Sequence, residues 1–368
     1  MIRPDANTHL NQEPVQNEVF FEGNCEVTNL SGQDWDWQVK PQYPKELWQV
    51  ATKLVVMPDF CEGKSIIPTG TTITIDTLKC PEWRKYAVGD VGCGMQWLST
   101  QIPRTEFMKR LDLWDKVAEI LRQNAGSLGD LGSGNHFLDA VASGEHSFVN
   151  FLVHTGSRNE SGIVDDLVDK PDKFDEKYKQ ASEWAKNNRD AVIAAIQEVY
   201  GAVFDTEFSV AFDNAHNLFK LDGNSVTIYK GANRLLPGQL TVIPSSMNGG
   251  MVLAKGTQAL ESVNFGLLHG TGRKMSRGEA KVALHAQASD HGEYDFSEFR
   301  LHGKPEDEVQ VRHAWRDNKV YVPAGISNRS IGTEYPGAYR PLTESLQRVK
   351  HLINTINIFK PIAYIGQL

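Results

Sequence analysis

Apolar and polar positions along the chain fall into segments of two periods. LVVMPDF (54–60) and IIPTGTTITI (66–75) are rich in β-branched residues and bounded by turn formers, so they predict strands. TEFMKRLDLWDKVAEILRQ (105–123) opens on a Thr–Glu pair and carries apolar residues at helical spacing, which predicts a helix. Residues 166–199 predict one or two helices; the charged first half reads as a solvated face, and Pro171 starts or breaks a helix. Strand patterns return over 205–255 in FSVAFD, SVTIYK, LTVIP and GMVLAK. RPLTESLQRVKHLINTIN (340–357) reads as a helix, and PIAYI closes the chain as a strand. Helices and strands are interspersed without a βαβ rhythm, which predicts an α+β fold rather than a doubly wound sheet. No repeat or low-complexity linker divides the sequence, so one domain over residues 1–368 is expected.

Composition narrows the class. The chain has 368 residues, of which 40% are hydrophobic and 23% charged, as in a soluble globular protein with a sizeable core. No apolar run approaches the roughly 18 residues of a membrane span, and the opening MIRPDANTHLNQEP has no apolar signal-peptide core. Cys25, Cys61, Cys80 and Cys93 are too sparse for a disulfide scaffold and lack zinc-finger spacing, so a reducing, cytoplasmic setting is expected. A net charge of −8 argues against a protein coated in positive charge for nucleic acid. It leaves room for a local patch, with Arg273, Lys274, Arg277 and Lys281 as one candidate and Arg312, Arg316 and Lys319 as another.

Standard nucleotide motifs fail. GKS (63–65) resembles the end of a P-loop, but Pro58 stands where its first glycine belongs. GSGNHF and HGTGRKM place Phe137 and Met275 at the third glycine of a dinucleotide fingerprint. Histidines in glycine-rich segments survive this filter: His136 in GSGNHFLD, His154 in HTGSR, His216 in NAHN and His269 in HGTGR. One such histidine is usually a capping or core residue; four in short loops that let side chains and bare amides approach a ligand indicate a site. DVGCGM adds Asp90 and Cys93. Carboxylate, thiolate and imidazoles are sound ligands, and on donor chemistry alone they suit Zn²⁺. Backbone amides of LGSGN, HGTG and PSSMNGG could cradle anionic oxygens, with Arg158 and Arg273 as positive forks. The reading from residues alone is metal-assisted phosphate chemistry, against the alternative of a loop-rich enzyme whose glycines only make turns.

The ordered series MPDF…GK, DVGCGM, GSGNHF, HTGSR, NAHN, KGANR…PG, IPSSM, HGTGRKMSR and PGAY resembles the RtcB family of RNA-splicing ligases, over about residues 55 to 340. The chain is similar to a short, compact bacterial or phage-type member. The resemblance implies an α+β catalytic domain of mixed sheets around a deep metal-containing cleft. It implies a GTP- and Mn²⁺-dependent ligase joining RNA 3′-phosphate or 2′,3′-cyclic phosphate ends to 5′-hydroxyl ends in RNA repair or tRNA splicing. Two metals are implied: one on Asp90, Cys93 and His136, the other on Cys93, His154 and His216, with the thiolate shared. His269 would be the nucleophile that takes GMP from GTP. Asn135, His136, Phe137, Leu138, Asp139, His216, Asn217, Pro244, Ser245, Ser246, Met247, His269, Gly270, Thr271 and Gly272 would surround the nucleotide. An activating protein partner is compatible with the resemblance.

The chain departs from the family around the base. Asp139 stands where the family commonly has Glu, Met251 where it has Ser, and Gly366 where a Lys precedes the last glycine. Two alternatives follow: a metal-dependent 2′,3′-cyclic phosphodiesterase or phosphatase that does not ligate, and a non-catalytic RNA-binding paralogue.

Overall fold

The computed structural model describes residues 18–63, 65–132, 134–157, 160–286, 300–301, 320–323, 326, 333–334 and 336–366. Ser133, Arg158, Arg312, Arg316, Lys319 and the side chain of Lys281, all singled out above, lie outside the described residues. In chain order the strands are β1 (Glu18–Glu22), β2 (Cys25–Asn29), β3 (Ala51–Cys61), β4 (Thr69–Asp76), β5 (Gly94–Pro103), β6 (Phe137–Ala142), β7 (Phe148–Thr155), β8 (Ser209–Ala215), β9 (Asn217–Asp222), β10 (Ser225–Lys230), β11 (Ala232–Arg234), β12 (Leu240–Pro244), β13 (Met251–Gly256), β14 (Gly266–Leu268), β15 (Arg300–Leu301), β16 (Val320–Tyr321) and β17 (Ile353–Ile365). The helices are α1 (Leu47–Val50), α2 (Arg104–Lys109), α3 (Leu111–Gln123), α4 (Glu160–Asp165), α5 (Pro171–Gly201), α6 (Arg277–Ala286) and α7 (Leu342–Val349).

One sheet is ordered β1-β2-β3-β4-β10-β9, and a larger one runs β12-β13-β17-β6-β7-β5-β8 with β16 and β15 added beside β17. Nearly all neighbours are antiparallel, so the class is α+β. The larger sheet curls until its outer strands meet, where Asn214 on β8 donates from Nδ2 to the Leu240 carbonyl on β12 at 2.8 Å. Side chains alternate across such a sheet. Met95, Trp97, Val141, Leu152, Val242, Met251 and Phe359 therefore fill its concave side as one cluster. Leu98, Phe151 and Val153 face the other way, onto Trp114 and Val117 of α3 and Val192, Ile196 and Tyr200 of α5. The first half of α5 packs elsewhere, with Phe174, Tyr178 and Ala181 in the core of the smaller sheet beside Leu54, Ile73 and Ile228. One helix thus braces both sheets.

Three elements differ from expectation. The helix expected over 105–123 is broken at Arg110, which leaves helical geometry (φ −121°, ψ 43°) and closes its guanidinium on Asp112 at 2.9 and 3.0 Å. The strand expected from residue 66 begins at Thr69. The helix expected over 340–357 stops at Val349. The β-branched run from Ile353 instead enters β17, where its backbone pairs with β13 from Gly256↔Ile353 to Met251↔Phe359.

Candidate active site

The larger sheet brings its chemistry to one end. β5 starts one residue after Cys93, and Met95 pairs with His154 on β7, which pairs in turn with Phe137 at the head of β6. His216 lies between β8 and β9, its amide donating to the Cys93 carbonyl at 2.8 Å. Cys93, His154 and His216, 61 to 123 positions apart in sequence, thus become neighbours through strand register. Cys93 Sγ lies 3.4 Å from His136 Nε2 and 3.3 Å from His154 Nε2, and His154 Nε2 lies 3.2 Å from His216 Nε2. Asp90 Oδ2 lies 3.5 Å from His136 Nε2. Two groups of potential ligands result, Asp90–Cys93–His136 and Cys93–His154–His216, with Cys93 in both.

The residues fit metal ions. Nδ1–H of His136 donates to the Leu131 carbonyl at 3.0 Å, and Nδ1–H of His154 to the Asn135 carbonyl at 3.1 Å. These bonds aim each Nε2 at the shared centre, the usual outer support of a metal-bound imidazole. Donor atoms on one tetrahedral ion with bonds of about 2.0–2.3 Å sit roughly 3.3–3.8 Å apart, close to the separations here. Burial, then the neighbouring His136 and His269, holds His154 well below the usual imidazole range; burial, then His269 and His154, does the same for His216. Both rings are therefore neutral, as ligands must be. Burial resists ionisation of Asp90, but His136 and Lys230 outweigh it and keep the carboxyl below its usual range. Burial, then the Asp90 charge, pushes the metal-free Cys93 thiol well up.

The DVGCGM turn is tightly held. Asp90 occupies the left-handed region at φ +53°, a conformation that Asp tolerates better than most residues. Asn217 Nδ2 donates to the Asp90 carbonyl at 3.0 Å, and the buried Lys230 Nζ donates to the carbonyls of Val88 at 3.2 Å and Gly89 at 2.5 Å. Gly92 has φ +69°, and a Cβ there would lie 2.9 Å from Ala185 Cβ on α5, so only glycine lets the turn rest on that helix.

His269 follows β14, which pairs with β11 as a two-stranded sheet, and its ring centroid lies 4.5 Å from that of His216. Its amide donates to Asp59 Oδ2 at 3.1 Å and its Nδ1–H to the same oxygen at 2.7 Å, leaving Nε2 without a partner among the described residues. Asp59 is fully buried at the end of β3. Gly272 (φ +70°) allows this contact, since a Cβ there would lie 2.6 Å from the Asp59 carbonyl oxygen. Gly272→Ala is expected to cost about 1–3 kcal/mol of stability and to part His269 from Asp59; urea denaturation beside the imidazole NMR signal of His269 checks both.

The other expected residues separate into those at the site and those behind it. Asp90, Cys93, Asn135, His216, Asn217 and His269 line one cavity with Gly63, Ser65, Ile67, Thr69, Lys230 and Gly231. Phe137 lies edge-on to His154 (centroids 5.2 Å apart) and stacks on Tyr364. Asp139 is buried, its Oδ1 without a partner among the described residues, and burial pushes its carboxyl well up. Pro244 accepts the Thr271 amide at 3.1 Å, which joins the PSSMNGG and HGTG loops next to Gly270. Thr271 is buried, its Oγ1 without a partner among the described residues, and Ser245 and Ser246 are half-buried. Leu138 and Met247 point into the core packed against α3 and α5, so only their backbones remain to serve a ligand. Arg273 is not a free fork: its guanidinium bonds the Met275 and Thr333 carbonyls, Glu334 and Tyr339. Asp59, Asn188, Arg189 and Lys230 were not singled out from sequence. Asp59 and Lys230 do sit in the MPDF and KGANR motifs, which was the available signal.

Fold and site together define an α+β protein with a buried Cys/His/Asp metal-ligand cluster beside a carboxylate-held histidine. Residues 168–295, which include His216 and His269, match the family model described as tRNA-splicing ligase RtcB. The chain is 27% identical over 303 residues to a tRNA-splicing ligase RtcB of Thermococcus kodakarensis, covering 64% of this chain and 58% of that protein. It is 29% identical over 220 residues to the Methanocaldococcus jannaschii protein of that name, covering 42% of this chain and 23% of that one. It is 25% identical over 288 residues to an RNA-splicing ligase RtcB of Mycobacterium tuberculosis, covering 62% of this chain and 61% of that protein. The chain thus spans less than two thirds of these relatives' length, from about a quarter to about three fifths. Over the matched residues the chain is similar to the RtcB family.

Proposed function

We propose that the chain is an RNA ligase that uses GTP and Mn²⁺ to join 3′-phosphate or 2′,3′-cyclic phosphate ends to 5′-hydroxyl ends. The observation that carries this reading is the juxtaposition of His269, held by Asp59, with two ligand groups sharing Cys93. Metal ions held by Asp90, Cys93 and His136 and by Cys93, His154 and His216 would supply Lewis-acid stabilisation of phosphate charge. Asp59 holds the proton on Nδ1 of His269, so Nε2 carries the lone pair. Nε2 attacks the α-phosphorus of GTP; an N–P bond forms as the P–O bond to pyrophosphate breaks. The RNA 3′-phosphate then takes the GMP group and returns the imidazole. The 5′-hydroxyl finally attacks the activated 3′-phosphorus and GMP leaves, giving the phosphodiester. A cyclic end is first opened by water. Asn135 and Asn217 at the cavity, and the joined 244–247 and 270–272 loops, would bind the nucleotide, and a cytoplasmic setting suits the four free thiols.

The test is incubation with α-labelled GTP and Mn²⁺, followed by a defined 3′-phosphate/5′-hydroxyl RNA pair. Label is expected on wild type and not on His269→Ala, and joined product is expected only with GTP. Wild type that takes no label and joins no ends would overturn the proposal. One observation favours a second reading, cyclic phosphodiesterase or phosphatase action without ligation. One base-side departure shows in the packing: a Cβ at Gly366 would lie 2.4 Å from the Tyr364 hydroxyl, so a lysine there would have to displace that ring. Cyclic ends opened without joined product would select that reading.

A further inference from the structure

On the apolar stripe of α5, Ala181, Ala185 and Val192 are interrupted by two fully or nearly fully buried polar residues, Asn188 and Arg189. Neither touches the ligand atoms, yet between them they bond to every segment that carries one. Arg189 Nη1 donates to the Gly92 carbonyl at 2.9 Å, next to Cys93, and to the Thr155 carbonyl at 3.0 Å, next to His154. Its Nε and Nη2 grip Asp213 at 2.7 and 3.2 Å, on the strand that leads to His216. Asn188 Nδ2 donates to the Asp130 carbonyl at 2.9 Å and to Thr155 Oγ1 at 3.3 Å, while Oδ1 accepts the Gly129 amide at 2.7 Å. That fixes the 129–131 turn, whose Leu131 carbonyl holds Nδ1 of His136.

We infer that Asn188 and Arg189 are positioning residues: from one turn of α5 they set the separations among the segments bearing Cys93, His136, His154 and His216. The inference rests on the metal reading of those four residues. Stability does not account for the pair. A buried ion pair such as Arg189–Asp213 is commonly matched or bettered by apolar residues of similar volume. What apolar residues cannot do is tie two carbonyls and a carboxylate, on one turn and two strands, to a single rigid fork. Lysine, with a point charge on a flexible stem, cannot reproduce it either.

The test is titration of the full chain with Co²⁺ alone, read by cobalt–thiolate absorption, for wild type, Arg189→Lys and the paired replacement Arg189→Met with Asp213→Leu. Metal-free melting is recorded for each. Both variants are expected to bind Co²⁺ about 10- to 100-fold more weakly, the usual effect of losing an outer-shell partner. The paired replacement should keep its metal-free melting transition, and Arg189→Lys retains the charge should the pair fail to fold. Lower melting temperatures with unchanged Co²⁺ affinity would mean a purely structural role and would overturn the inference. A wild-type chain that takes no Co²⁺ would remove the metal site itself, a failure separable from that of the positioning role because it appears before any substitution.

Discussion

Cys93→Ala is expected to abolish metal binding at both ligand groups and, with it, transfer of GMP to the protein. The thiol lies 3.4 Å from His136 Nε2 and 3.3 Å from His154 Nε2, and it is the one side chain common to both groups. Its loss leaves each group with two donors, too few to hold an ion against water. The drop in affinity should exceed the roughly 10- to 100-fold typical of an outer-shell partner. Because burial and Asp90 keep the metal-free group protonated, metal entry must release the Cys93 proton, and binding should strengthen as pH rises. The other cysteines provide the contrast. Cys25 is buried, its thiol pushed up to about 12 by burial, and Cys80 is buried beside Trp83 and Tyr86 in the same core. Cys25→Ala and Cys80→Ala should keep metal and labelling, as should Cys61→Ala. Elemental analysis after gel filtration, paired with α-labelled GTP, measures both quantities. Metal content and labelling at wild-type levels in Cys93→Ala would refute the shared-thiolate arrangement.

The candidate ligand set was legible because Asp, Cys and His stand in short glycine-rich segments whose types and order carry chemical meaning. Their convergence was not legible, because it depends on which strands pair: Met95 with His154, and His154 with Phe137. Strands at 94–103, 137–142 and 148–155 were not predicted, although all three position ligands. They are buried on both faces, between the concave cluster and α3 with α5, so their sequences lack a clear two-residue alternation. The end of the last predicted helix failed for a related reason. INTIN carries enough apolar residues to extend a helical pattern, and only pairing with β13 decides for strand. Asn188 and Arg189 show the same limit. KNNRD is polar throughout, and only the packing of α5 against the Gly92 turn makes Asn188 and Arg189 interior.

On the proposed reaction, Asp59→Ala should leave metal binding intact and still slow labelling at His269. The carboxylate does two things for His269. It accepts the backbone amide at 3.1 Å, which fixes the loop, and it accepts Nδ1–H at 2.7 Å, which fixes the tautomer with Nε2 unprotonated. Without it the proton can reside on either nitrogen and the ring can turn. In the serine-protease triad, loss of the equivalent tautomer control lowers the rate by about 10⁴-fold. Labelling by GTP in Asp59→Ala is expected to slow by about 10²- to 10⁴-fold on that precedent. Asp59→Asn should be no better than partial, because its amide can present a donor where His269 needs an acceptor. Asp59 lies at the end of β3, outside both ligand groups, so Co²⁺ affinity should match wild type. That split distinguishes orientation of the nucleophile from damage to the metal cluster. Rapid-quench labelling across pH reads the first and cobalt absorption the second. A labelling rate within a few-fold of wild type would show that Asp59 only anchors the loop, whereas equal losses of labelling and Co²⁺ affinity would place its effect on the whole site.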